Sequence, residues 1–170
     1  MIKDEDKKVP WYLTAVDWLM RQIASLRARP EIKDAPWMVA ANAEVGVKEY
    51  AGPDDNPRIV EYFTATNIGA PYSENDETPW CSAFTNWALK QAGVPGTNSA
   101  AAASWRNWGH ELEHGQYGCI VVMERPGGNH VGFYVRESAQ GVSVLGGNQS
   151  DAVNIKIFPW ESITNFRWPD

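Results

Sequence analysis

The hydrophobic period of this 170-residue chain changes at Gly118, and that change limits the fold more than any other feature. Before it, apolar residues recur at helical spacing over residues 10–28 (Trp11, Leu13, Val16, Leu19, Met20, Ile23, Leu26). A second helix is predicted from Pro36 to about Val45, stopped by Gly46, and a third from Asn56-Pro57 to about Ala65 with Ile59, Tyr62 and Phe63 buried. A fourth starts within Thr78-Pro79-Trp80-Cys81 and ends near Gly93, and Ser99 to Trp108 holds one short helix. After Gly118, Cys119–Met123, His130–Arg136, Val142–Leu145, Val153–Phe158 and Phe166–Trp168 read as strands parted by Gly, Asn and Asp turns. Helices followed by consecutive strands give an α+β domain, with N-terminal helices packed on a four- to six-stranded antiparallel sheet.

A chain of this length buries about 70% of its unfolded surface, so a full core needs no disulfides or metal. Residues 1–35 read as a helical extension, ended by a linker between Pro30 and Pro36, and residues 36–170 as the main domain. The two cysteines, Cys81 and Cys119, are too few for a disulfide-stapled scaffold, and Cys119 is expected to be a buried strand thiol. Net charge is −6 with no basic stripe, which excludes nucleic acid as a partner and disfavours charge-driven binding to anionic polymers or lipid. No apolar run is long enough for membrane insertion, and the charged start Lys3-Asp4-Glu5-Asp6-Lys7-Lys8, with Asp17 beyond it, fits no signal peptide. Nine tryptophans are high for this size and suggest an aromatic-lined groove, with Tyr50, Trp80 and Trp105 as candidate linings.

Two segments carry chemistry. With Thr78 as N-cap and Pro79 at the first helical position, Cys81 falls near the third, where unpaired N–H groups and the helix dipole favour a thiolate. An ordinary thiol, at about pKa 8.5, is roughly 3% ionised at pH 7; a shift to about 6 makes it roughly 90% ionised. Downstream, His130 heads the run His130-Val131-Gly132-Phe133-Tyr134-Val135 after Pro126-Gly127-Gly128-Asn129, at a strand mouth where an imidazole can reach a thiol as general base. A third group should hold the second ring nitrogen. Asn148, in Leu145-Gly146-Gly147-Asn148-Gln149, is the first candidate and Gln149 the second. Ser82 joins Gln149 as a supporting or oxyanion-hole candidate. His110-Glu111-Leu112-Glu113-His114 matches the zinc-peptidase pattern His-Glu-x-x-His. Flanked by Gly109 and Gly115 it is too short for a stable helix, so it reads as a solvated loop bordering the cleft, and no metal or cofactor is expected.

Pro79-Trp80-Cys81-Ser82-Ala83-Phe84, Asn129-His130-Val131-Gly132-Phe133-Tyr134-Val135 and Val144-Leu145-Gly146-Gly147-Asn148-Gln149 together resemble papain-like bacterial and phage cell-wall peptidases of the NlpC and CHAP type. The segment Pro36 to Phe63 is similar to the entry segment of one branch, so the resemblance covers roughly residues 36–168. One departure is Gly118-Cys119, where such proteins often have Gly-Asp before the first strand. The resemblance implies a papain-like fold and hydrolysis of an amide bond in the peptidoglycan stem peptide. Cys81 would be nucleophile, His130 base, Asn148 orienter, and the Cys81 N–H, with Ser82, part of the oxyanion hole. It also implies action at the cell wall or periplasm, either as a phage endolysin released through holin-type pores or as a secreted antibacterial effector paired with an immunity protein. The rival readings are a thiol amidase on another substrate and a non-catalytic module that binds wall peptide or a protein.

Overall fold

The computed structural model describes residues 35–170. The extension read over 1–35, with its helix at 10–28, lies outside the described residues apart from Ala35. Three helices, α1 (Trp37–Ala43), α2 (Pro57–Tyr62) and α3 (Cys81–Gln91), precede six strands. The strands are β1 (His110–Leu112), β2 (Ile120–Arg125), β3 (Gly128–Ser138), β4 (Gly141–Gly146), β5 (Asn154–Phe158) and β6 (Ile163–Trp168). They form one antiparallel sheet in the order β1-β6-β2-β3-β4-β5, so the domain is α+β as its periodicity predicts. No helix among the described residues is long and apolar enough to cross a membrane.

Local chemistry accounts for the helix ends. Asn56 caps α2 by accepting from the Arg58 N–H at 2.9 Å, with Pro57 at the first helical position, where its missing N–H costs nothing. The helix continues as a 3-10 turn over Phe63–Ala65, completing the segment expected to Ala65. Residues Ala102–Asn107 form a 3-10 turn where a short helix was predicted. The first nine residues of α3 are buried on every side, which makes it the central helix of the core. Gly93, with φ +70°, ends it in the left-handed conformation that glycine adopts without strain.

α3 packs on the sheet through Phe84, whose ring meets that of Phe133 on β3 edge-on at 6.2 Å. Tyr62 of α2 fills the space beside it, with ring centroids 5.4 Å from Phe84, 5.2 Å from Trp87 and 5.8 Å from Trp80. The Tyr62 hydroxyl donates to buried Glu44 at 2.7 Å, and Arg58 grips the same carboxylate through Nε at 2.8 Å and NH2 at 2.6 Å. This bidentate pair fixes α2 against the end of α1. Trp105, expected in a groove, is fully buried: its Nε1 donates to Ser82 Oγ at 2.8 Å, inside the core.

The segment at His110 departs from the sequence reading. It is neither a loop nor a helix but the edge strand β1, pairing His110 with Trp168, Glu111 with Arg167 and Leu112 with Phe166. Five residues between glycines, three of them in the strand, carry no strand signal of their own, and the partner β6 supplies the order. In an extended strand, the two histidines of this motif cannot share a helical face, so the zinc-peptidase geometry is absent.

The chain leaves β4 through Gly146-Gly147 and passes tightly over the start of α3. A Cβ at Gly147 would lie 2.4 Å from Trp80 Cζ3 and 2.8 Å from Phe84 Cβ, atoms locked in the core. Gly147→Ala is expected to destabilise the domain by about 1–3 kcal/mol through overpacking. Urea unfolding of the two proteins measures this, and equal midpoints would contradict the packing described.

Candidate active site

Where α3 begins, β3 opens and β4 has turned away, Cys81 meets β3 at Val131 and His130 meets Gln149. α3 starts two residues later than predicted. Trp80 is its N-cap, and Thr78 and Pro79 lie outside the helix, so Cys81 is the first helical residue rather than the third. The first helical hydrogen bond runs from Phe84 N to Trp80 O, which leaves the N–H groups of Cys81 and Ser82 without helical partners. Both groups favour negative charge on the Cys81 sulfur.

β3 is longer than β4 at this end. Their pairing stops at Phe133↔Leu145, and His130 and Val131 project beyond it while pairing with β2 through Met123 and Val122. The Val131 N–H therefore faces no β4 partner and is directed to the Cys81 sulfur. This contact places the thiol beside the residue that follows His130.

His130 is fully buried, and its ring stacks on Phe158 at 5.4 Å with a 26° interplanar angle. Its Nε2 lies 3.1 Å from Gln149 Oε1. Since that oxygen can accept and not donate, Nε2 carries the proton in the neutral ring, and Nδ1 keeps a bare lone pair. Nδ1 is buried with no hydrogen-bond partner, so thiol and imidazole are not hydrogen-bonded in this state. Catalytic contacts of this kind tighten when substrate binds.

The group on the second ring nitrogen is thus Gln149 and not Asn148. The two residues alternate in direction because Asn148 takes a left-handed backbone, φ +54°. Its amide oxygen turns back to the helix start and accepts from Trp80 N at 3.3 Å and Trp80 Nε1 at 3.2 Å. Asn148 holds Trp80, the residue before Cys81, while Gln149, 1% exposed, reaches His130. Gly146 makes room for that reach: a Cβ there would lie 2.9 Å from Gln149 Oε1 and 3.5 Å from His130 Nε2.

The remaining candidates divide. The Ser82 hydroxyl donates to Ser99 O at 2.6 Å and accepts from Trp105, so the side chain is committed to the core and its backbone N–H faces the thiol. Trp80 is fully buried rather than groove-lining, because its Nε1 also donates to Glu49 Oε1 at 2.8 Å and its ring packs on Tyr62. Tyr50 is half-exposed and next to Glu49, and it remains available to line a groove. Cys119 is a buried free thiol just before β2, pushed up to about 12 by burial. Sequence reasoning missed Phe158, Glu49 and Asn154. Gly146-Gly147 was the available signal, since paired glycines before two amides imply close approach on both sides.

The electrostatics oppose a preformed ion pair. Burial pushes the Cys81 thiol up, outweighing the N–H of Val131, the Arg125 guanidinium and the N–H groups of Ser82 and Cys81 itself. The helix start therefore does not lower this thiol as its sequence position predicts; removal from water dominates. Burial, with Arg125 and then Lys156 adding, pushes His130 down to about 4 against the opposing Gln149 contact. The resting pair is a neutral thiol beside a neutral imidazole.

A histidine lowered by folding is protonated first in the unfolded chain, so its contribution to stability is full above about pH 6.5. That contribution is lost as pH falls from there through about 4, the folded value. The loss is expected to reach ~3 kcal/mol. Glu44, held low by Arg58, loses its own contribution at more acid pH. Urea titrations at pH 7 and 4.5 should show the loss in the native protein and a smaller one in His130→Gln; equal losses would contradict a buried neutral His130. Comparison with known proteins adds nothing to this geometry: no family model matches the chain and no curated protein matches it, so the site is interpreted from its own residues.

Proposed function

We propose that the domain is a papain-like thiol hydrolase that cleaves an amide bond of the peptidoglycan stem peptide. The observation that carries this reading is that the strand bearing His130 meets Cys81 through the next residue, Val131, while His130 Nε2 is held by Gln149 and Nδ1 is left bare. A histidine with a structural role alone, fully buried, would be expected to satisfy both nitrogens. The fold class, a thiol on the first residue of a central helix and a histidine on the facing strand, supports the same reading.

The steps follow from the neutral pair. As the Cys81 sulfur attacks the amide carbonyl carbon, the thiol proton passes to His130 Nδ1, and the carbonyl π electrons move to oxygen. The backbone N–H groups of Cys81 and Ser82 are the donors for that oxyanion. Gln149 Oε1 accepts from Nε2–H throughout and stabilises the imidazolium formed in the transition state. His130 returns the proton to the leaving amine as the C–N bond breaks. It then takes a proton from water, which attacks the thioester, releases the acid and restores the thiol. The stem-peptide assignment rests on the resemblance of the three motifs, and so does the setting as a phage endolysin or a secreted antibacterial effector with an immunity partner.

Cys81→Ala should lower hydrolysis of purified peptidoglycan at least about 1,000-fold, since removing a nucleophile removes most of the catalysis. Cys119→Ala should leave it within a few-fold. Mass spectrometry of the soluble fragments reads both the rate and the bond cut. Full activity in Cys81→Ala would sink the thiol mechanism. No fragments from the native protein, combined with retention on the insoluble wall, would mark a binding module instead.

A further inference from the structure

We propose that Asn154, at the start of β5, is a positioning residue that sets the tautomer of His130 by locking the amide of Gln149. The inference rests on His130 being the base of the proposed reaction. Gln149 can serve that base in one amide orientation alone. With Oε1 towards Nε2, the ring proton is drawn to Nε2 and Nδ1 is free to take the thiol proton. With the amide reversed, its NH2 would meet Nε2, the ring proton would move to Nδ1, and Nδ1 would no longer be a base.

Three acceptors fix the orientation. Gln149 Nε2 lies 2.6 Å from Asn154 O, 3.1 Å from Asn154 Oδ1 and 3.3 Å from Val144 O. Reversal would set the amide oxygen against three oxygens. Asn154 supplies two of the three and also closes the clamp from the other side, donating from Nδ2 to Gln149 O at 2.6 Å. That last bond spans a turn in which Asn148, Ser150 and Asp151 hold left-handed backbone, with φ of +54°, +56° and +60°. Non-glycine residues prefer other conformations, so the turn persists because its ends are tied. Gln149 N to Ala152 O at 3.0 Å and the Asn154 side chain are those ties. Asn154 pairs with Gly146 in the β4–β5 register, which puts the clamp beside the glycine that admits the Gln149–His130 contact.

The test is the protonation of His130 itself, read by two-dimensional 1H–15N NMR of histidine-labelled protein at pH 7, with the signal identified by its loss in His130→Gln. The native protein should show His130 as the Nε2–H tautomer. Asn154→Ala keeps the backbone acceptor but removes Oδ1 and the Nδ2 tie that holds the turn and its backbone oxygen in place, so it should show a mixture with substantial Nδ1–H, and kcat on peptidoglycan should fall roughly 10- to 100-fold with KM nearly unchanged. Asn154→Ser, which also lacks the amide, should shift the tautomer equally and serves if the alanine variant does not fold. A native Nδ1–H tautomer, or an unchanged Nε2–H tautomer in a folded Asn154 variant, overturns the proposal. If the native protein cleaves no peptidoglycan yet the tautomer shifts, the clamp stands and the proposed function falls.

Discussion

The close passage of Gly146-Gly147 over the start of α3 is the constraint on which the site depends. β4 must stop short of His130 for Val131 to turn its N–H to the thiol, and the chain must then cross the helix terminus to bring Gln149 back. Side chains at either glycine would fill the space this crossing needs. One would displace Trp80 and Phe84, the other the Gln149 amide. Glycine loses more backbone entropy on folding than other residues, roughly 0.5–1 kcal/mol relative to alanine in regular structure. That cost is offset here by core contacts on one glycine and polar contacts on the next. Four consecutive residues thus serve four ends, since Asn148 clamps Trp80 and Gln149 holds the base.

The three helices between residues 36 and 93, the strands after Gly118 and the α+β class were legible because each is a local pattern. Cys81 and His130 could be named because a thiol at a helix start and a histidine at a strand mouth are also local features. The identity of the third group was not legible. Asn148 and Gln149 are both amides in one turn, and the left-handed φ of Asn148 decides which faces the imidazole. Trp80 and Trp105 misled for a related reason. An indole is read as a surface for ligands when its N–H has no visible partner, and Glu49 and Ser82, far away in sequence, are those partners. β1 was missed because its order comes entirely from β6.

The thiol pKa was also misjudged from sequence, and the error is physical rather than statistical. A helix terminus offers about 0.3–1 kcal/mol to an exposed charge, up to about 2 in partly buried geometry. Removing a charge from water can shift a fully buried group by several pH units, each about 1.36 kcal/mol. With Cys81 5% exposed, the larger effect wins. A helix dipole lowers a thiol usefully where water still reaches it.

Burial therefore has two consequences that pull in the same direction. It keeps the Cys81 proton on sulfur, and a thiol is far less reactive to oxidants and alkylating agents than a thiolate. It also leaves the His130 Nδ1 lone pair without a partner, an unmet acceptor worth about 1–3 kcal/mol in desolvation. In the proposed reaction that cost is relieved when the thiol proton moves to Nδ1, the same event that would create the nucleophile. A site arranged this way is inert at rest and gains both an ion pair and a hydrogen bond only as sulfur meets a carbonyl. In that reaction the oxyanion would form beside the Cys81 and Ser82 N–H groups, which have no helical partners, so the protein would not have to reorganise to receive it.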